Sequence, residues 1–208
     1  MRFSIIMPTM GKRPEFLKAA IQSVLSQDFG DFELIVKDGG PVDLELPADP
    51  RLRYVRMPDT GIGQALNQAC ALAQGEILNE SNDDDLMTPG ALRFVDEHMG
   101  DAQWLYGQIN ASGSVCGSAW DYQALKNRNF VPQPAVFFRK EAWEEVGGFD
   151  EGHDLAADYD MWLKLGAKWT PVFVQQVLAN YTIHPGQLTN TAQSEQLSQA
   201  KEVAKKYL

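Results

Sequence analysis

Phe32-Glu33-Leu34-Ile35-Val36-Lys37-Asp38-Gly39-Gly40-Pro41 is the stretch that decides the fold. An apolar run of strand length ends abruptly in Asp38-Gly39-Gly40-Pro41, a group of chain breakers. The same event occurs upstream, where Phe3 to Met7 reads as a buried strand stopped by Pro8-Thr9. It occurs again downstream, where Ile77-Leu78 runs into Asn82-Asp83-Asp84-Asp85. Between these strands lie helical signals. Pro14 stands where a helix begins, and Leu17, Ala20, Ile21, Val24 and Leu25 recur at helical spacing. Leu52 to Met57 reads as a further strand, and Ala65, Leu66, Ala69, Cys70 and Ala73 as a helix stripe ended by Gly75. Thr88 and Pro89 read as the N-cap and first residue of the next helix. Strands separated by helices imply a mainly parallel sheet covered on both faces.

The second half has shorter elements. Trp104 to Ile109, Val115 to Gly117, Ala135 to Phe138 and Val172 to Leu178 read as strands. A helix closed by Gly147-Gly148, a short helix from Asp158 to Leu165 and a terminal amphipathic helix bearing Leu197, Ala200, Val203, Ala204 and Tyr207 complete the pattern. The expected class is α/β, a single Rossmann-like domain over residues 1–208. Residues 1–100 form its nucleotide-binding half, and residues 101–208 hold a second ligand and the C-terminal helix. In an open sheet of this kind ligands bind at the carboxyl ends of the strands. Pro8-Thr9, Asp38-Gly39-Gly40 and Asn82 to Asp85 would therefore converge on one crevice.

Composition narrows the function. The 208 residues carry 18 Lys and Arg against 28 Asp and Glu, a net charge of −10. That sign argues against nucleic acid as a partner. No apolar run reaches the ~18 residues of a membrane span, and the N-terminal apolar run is too short for a secretory signal. Two cysteines, Cys70 and Cys116, make no disulfide framework. A cytoplasmic protein in a reducing compartment is expected.

Four groups could carry chemistry. The three carboxylates Asp83-Asp84-Asp85 repel one another and in a crevice call for a cation; magnesium-like ions take one or two carboxylates plus phosphate oxygens. The alternative is a solvated acidic loop before a helix. Asp158 and Asp160 could cap and charge a helix start, or provide a general base. Asp38 with Gly39 could bind a base or ribose, or simply form a turn. Gly61-Ile62-Gly63 is half of a dinucleotide fingerprint, with Leu66 where the third glycine belongs. His184 lies in a loop after the last strand, and no zinc spacing, nucleophile elbow or phosphate-binding P-loop is present.

In this order the pieces resemble the family 2 glycosyltransferases, inverting enzymes of the GT-A fold, and here the non-processive bacterial type. The resemblance rests on Ser4 to Thr9, Ala20 to Gln27, Phe32 to Gly40, Pro58 to Ile62 with Ala65-Leu66-Asn67, Asn82 to Leu92, Phe138 to Asp150 and Asp158 to Leu163. It implies transfer of a sugar from a nucleoside-diphosphate donor, most commonly UDP, to a hydroxyl on a glycan or lipid-linked acceptor, in polysaccharide or glycolipid synthesis. It implies a metal-dependent, hexosyltransferase-type enzyme using Mn2+ or Mg2+. Carried over by position, Pro8, Thr9, Asp38, Gly61, Asn67, Asn82 and Asp83 would hold the nucleotide sugar. Asp84, Asp85 and His184 would serve the metal, and Asp158 or Asp160 would be the base. Two departures stand out. Asn79-Glu80-Ser81 is polar where the family's strand is apolar, and Ala157 occupies a place where a Glu often precedes the base. A sugar-1-phosphate nucleotidyltransferase, or a non-catalytic relative that binds sugar nucleotides or glycans, is the alternative. Peripheral contact with the inner face of a membrane and assembly into homo-oligomers are open.

Overall fold

The structure is a computed structural model. It describes residues 1–41 and 43–208, the side chains of residues 188 and 189 excepted. In chain order its elements are β1 (Phe3–Thr9), α1 (Pro14–Leu25), β2 (Phe32–Asp38), β3 (Leu52–Arg56), α2 (Ile62–Leu72), β4 (Ile77–Glu80), β5 (Leu86–Met87) and α3 (Ala91–Met99). They continue as β6 (Trp104–Ala111), β7 (Ser114–Cys116), α4 (Tyr122–Leu125), β8 (Val136–Arg139), α5 (Lys140–Glu145), α6 (Ala157–Lys168), β9 (Val172–Tyr181), α7 (Leu188–Thr191) and α8 (Gln193–Lys205).

Among the described residues all nine strands join one mixed sheet, in the order β3-β2-β1-β4-β8-β6-β9-β5, with β7 paired to β6. β3, β2, β1 and β4 are parallel, as the strand–helix alternation implies. β8 runs antiparallel to both β4 and β6. The sheet is therefore mixed. Every residue of β1 and β2 is buried, which is why apolar residues lie on both faces of these strands rather than alternating with exposed polar ones.

Side-chain alternation divides the core in two. Phe3, Ile5, Met7, Leu34 and Val36 pack with Leu17, Ile21 and Val24 of α1 and Leu92 and Val95 of α3. Ile6, Ile35, Leu78, Trp104 and Phe138 face the other way, onto Leu66 and Ala69 of α2 and Trp162 and Leu163 of α6. The C-terminal helix α8 docks on this second face through Val203, while Leu197, expected in its apolar stripe, is exposed.

One helix start differs from the sequence reading. α3 begins at Ala91, after Gly90 at φ 79°. Thr88 is not its cap. The Thr88 hydroxyl donates to the Val177 carbonyl at 2.9 Å, and its amide to the Leu178 carbonyl at 3.0 Å, so Thr88 ties the acidic loop to β9.

Candidate active site

The carboxyl ends of β1 and β4 open onto a cavity of about 730 Å3. Of the residues singled out from sequence, Pro8, Thr9, Gly61, Asn82, Asp83, Asp84 and Asp158 line it. Of the three strand ends expected to converge, Pro8-Thr9 and Asn82 to Asp84 meet here, while Asp38-Gly39-Gly40 does not line the cavity.

At one end lies the acidic loop. The Thr9 hydroxyl, at the tip of β1, donates to Asp83 Oδ2 at 2.6 Å. Arg13, just before α1, reaches across the mouth of the cavity. Its guanidinium donates to Asp83 Oδ1 at 3.2 Å and lies 3.0 Å from Asp84 Oδ2 and 2.8 Å from His184 Nε2. Asp84 Oδ2 and His184 Nε2 are themselves 3.0 Å apart. Phe16 stacks on the His184 ring at 4.7 Å, fixing its plane. Burial, above all, raises the Asp83 carboxyl above its usual range. Sequence reading missed Arg13, because its partners lie 70 and 171 positions away.

A carboxylate oxygen and an imidazole nitrogen can both serve a divalent ion, and the Arg13 guanidinium already meets the two with positive charge. Asp84 and His184 stand at ordinary hydrogen-bond distance, a contact that an ion taking both as ligands would replace. Among the described residues no third His, Cys, Asp or Glu completes a cluster there.

Asp85 does not join them. It is 1% exposed, with Oδ1 accepting from the Thr182 amide at 2.9 Å and Oδ2 from Asn82 Nδ2 at 2.8 Å. Burial, chiefly, pushes it up to about 6. Its place is a brace between the acidic loop and the segment carrying His184. Asn82 also donates to Gln133 Oε1 at 2.8 Å, so its amide is engaged with protein.

At the other end of the cavity stands Asp158, in the first turn of α6. Asn129 Nδ2 donates to its Oδ2 at 3.2 Å. Burial, chiefly, raises this carboxyl above the ordinary range. Asp160 is different. It is 1% exposed, paired with Lys164 at 2.7 Å, and accepts from Tyr207 at 3.0 Å. It does not line the cavity, so as a candidate base it is set aside. Two residues along a helix are ~200° apart in direction, and only one of this pair can face the site.

Two further residues, Asn67 and Asp38, do not line the cavity, and a third, Gly61, lines it beside a carboxylate. Asn67 spends both ends of its amide on the loop after α5: Oδ1 accepts from the Phe149 amide at 2.8 Å, and Nδ2 donates to the Phe149 carbonyl at 3.0 Å. It is a clamp and does not line the cavity. Asp38 is buried and accepts from the Gly40 amide and the Tyr54 hydroxyl, each at 2.7 Å; the turn reading of Asp38-Gly39 describes its contacts. Gly61 does line the cavity, but its neighbour is a carboxylate. A Cβ there would sit 1.8 Å from Asp154 Oδ2, and the Gly63 amide donates to Asp154 Oδ1 at 3.0 Å. Asp154 thus occupies the start of α2, where a dinucleotide fingerprint would place phosphate. Beside it, buried Lys37 pairs with Asp59 on the cavity wall. Lys37 read as an ordinary strand residue, and nothing local in the sequence marked the pair.

Among the described residues no helix is long and apolar enough to cross a membrane.

A PGL/p-HBAD biosynthesis glycosyltransferase from Mycobacterium bovis is 28% identical to this chain over 205 residues, covering 91% of this chain and 79% of its own. Several other curated relatives are far longer, and the chain spans 19–27% of their length. Among solved structures, the mannosyltransferase PcManGT of Pyrobaculum calidifontis, in complex with GDP-Man and Mn2+, superposes with a TM-score of 0.74 at 18% identity, covering 99% of this chain and 64% of that one. TarS 1-349 of S. aureus, in complex with UDP-GlcNAc, gives 0.71 at 19%, covering 90% and 60%. These two likenesses establish a shared GT-A fold. The sequence profile of glycosyl transferase family 2 matches residues 4–142, a span that holds β1, the acidic loop and Glu80, and the chain belongs to that family.

Proposed function

We propose that the protein transfers a sugar, with inversion, from a nucleoside-diphosphate donor to an acceptor hydroxyl. One observation carries the reading. Asp84, in contact with His184, and the buried carboxyl of Asp158 line the same cavity at the carboxyl ends of the sheet.

The residues divide the work. Asp84 and His184 would hold manganese or magnesium. When bound there, the ion supplies Lewis-acid stabilisation of the diphosphate leaving group. Arg13 offers a fixed positive charge at the same end, and Thr9 orients Asp83. Pro8, Thr9, Asn82 and Asp83 border the space for the donor. Asp158 accepts the proton of the attacking hydroxyl. Asn129 and the start of α6 favour its ionised form, burial disfavours it, and the balance leaves a base of moderate strength. General-base assistance of this kind contributes ~10²–10⁴-fold. The walls exclude water from the donor and hold the reactants in line.

A UDP-sugar is the proposed donor, and a glycan or lipid-linked hydroxyl the proposed acceptor. Residues 1–100 would serve the former and 101–208 the latter. The complexes of TarS with UDP-GlcNAc and PcManGT with GDP-Man and Mn2+ support a nucleotide sugar and a divalent ion in a cavity of this fold.

The test is a calorimetric panel of UDP, GDP, dTDP, CDP and NAD, each with manganese and with a chelator. Binding of one nucleoside diphosphate only with metal is the expected result. Binding of NAD alone, or of none, overturns the reading.

A further inference from the structure

Glu80 is the residue of the cavity that the transfer scheme leaves unused. It ends β4, opposite Ile6 of β1. Strand alternation puts it on the same face as Leu78, toward α2 and α6. A strand paired on both sides and buried on both faces favours an apolar side chain here. Glu80 is instead a carboxyl, 5% exposed, lining the cavity. Its Oε2 has no hydrogen-bond partner among the described residues. The Gln133 amide holds the main chain at this point, donating to the Glu80 carbonyl at 2.7 Å. No cation compensates the side chain: the ionisable groups that act on it or feel it are Asp158 of α6 and Cys70 of α2.

A buried polar atom without a partner costs free energy comparable to a hydrogen bond. It survives in a native protein where a ligand or ion completes it. A metal ion would need further donors beyond Asp158, and among the described residues no group of three His, Cys, Asp or Glu gathers at Glu80. A neutral hydroxyl needs nothing more than the carboxyl itself. Burial first, and then the negative charge of Asp158, push Glu80 up to about 8, against a smaller opposing pull from the neighbouring Gln133 amide. At neutral pH it therefore both donates and accepts, as a sugar hydroxyl does.

Position selects which sugar. In the transferase reading, on which this inference rests, the donor sugar lies between the diphosphate held near Asp84 and the base Asp158. Glu80 lies four residues before Asp84 and beside Asp158. We propose that Glu80 is a specificity-determining residue of the donor subsite, its Oε2 completed by a hydroxyl of the transferred sugar.

Glu80→Leu and Glu80→Gln test this by calorimetry with manganese. The probes are UDP, GDP, UDP-glucose, UDP-N-acetylglucosamine and GDP-mannose at pH 7. Glu80→Leu should bind the free nucleoside diphosphate within about twofold of wild type, yet lose roughly tenfold or more in affinity for the nucleotide sugar that wild type prefers. Glu80→Gln, whose amide also donates and accepts, should retain most of that affinity. Raising the pH through 8 should erode the sugar's share of binding in wild type and leave it unchanged in Glu80→Gln, a comparison that decides the matter even if Glu80→Leu fails to fold. Equal losses for nucleotide and nucleotide sugar, or no loss for either, overturn the inference and leave the transferase reading standing. If wild type binds no nucleoside diphosphate, that reading falls, and this one with it.

Discussion

The two ends of the cavity treat negative charge in opposite ways. At the mouth, Asp83 and Asp84 are met by Arg13, Thr9 and His184. At the floor, Glu80 and Asp158 stand without a cation, and both carboxyls are raised by burial. At the mouth the Arg13 guanidinium supplies a fixed counter-charge. The bare floor instead keeps a proton on one carboxyl of the pair, because two adjacent charges in a low dielectric cost too much. The contrast separates leaving-group chemistry from proton chemistry within one cavity.

The sharpest way to break the contrast is at the base. Asp158→Asn should bind nucleotide and nucleotide sugar normally while release of nucleoside diphosphate from the donor falls ~10²–10⁴-fold. A normal rate would move the proton chemistry elsewhere. Next in size is the mouth. Asp84→Ala should weaken metal-dependent nucleotide binding by ~10²-fold or more, read by calorimetry, without changing the pH dependence of stability that belongs to the floor.

A third test reads the floor through folding. Glu80 binds its proton more tightly folded than unfolded, so its contribution to stability is complete below about pH 4.5 and is lost as pH rises toward about 8. Relative to Glu80→Gln, wild type should lose on the order of 3 kcal/mol across that window, measured by urea unfolding at pH 5 and pH 8. In an Asp158→Asn background the slope should shrink, since one cause of the shift is gone. The smallest expected effect is at Arg13. Arg13→Gln removes the resident charge from the metal point, and manganese should bind the free protein roughly two- to fivefold more tightly, the scale of a partly exposed ion pair. Weaker binding would show that Arg13 supports the ion rather than competing with it.

Much of this was legible in sequence for a physical reason. Strand ends that stop in Pro, Gly or acids mark the ligand edge of an open sheet, and Pro8-Thr9 and Asn82 to Asp84 lie there. The acceptor-side strand order was less legible, because antiparallel insertion of β8 follows from loop geometry rather than periodicity. Residue roles decided by distant partners were not legible. Asn67 is spent on Phe149, 82 positions on. Gly61 is shaped by Asp154, and Asp85 by Thr182, 97 positions away. The choice between Asp158 and Asp160 was open on paper, and it is settled by what surrounds Asp160: Lys164 of its own helix and Lys206 and Tyr207 just after α8.

The contact between Arg13 and His184 spans 171 positions, and it has a kinetic meaning. Closing so long a loop is entropically costly and follows the formation of shorter-range pairings. On a ribosome, the acidic loop emerges about a hundred residues before the imidazole that completes it. Until then the loop is a cluster of like charges with only Arg13 to quiet it. Manganese affinity should therefore appear late, after the parallel strands have paired, and its onset in a refolding experiment would mark the moment at which the two ends of the chain have met.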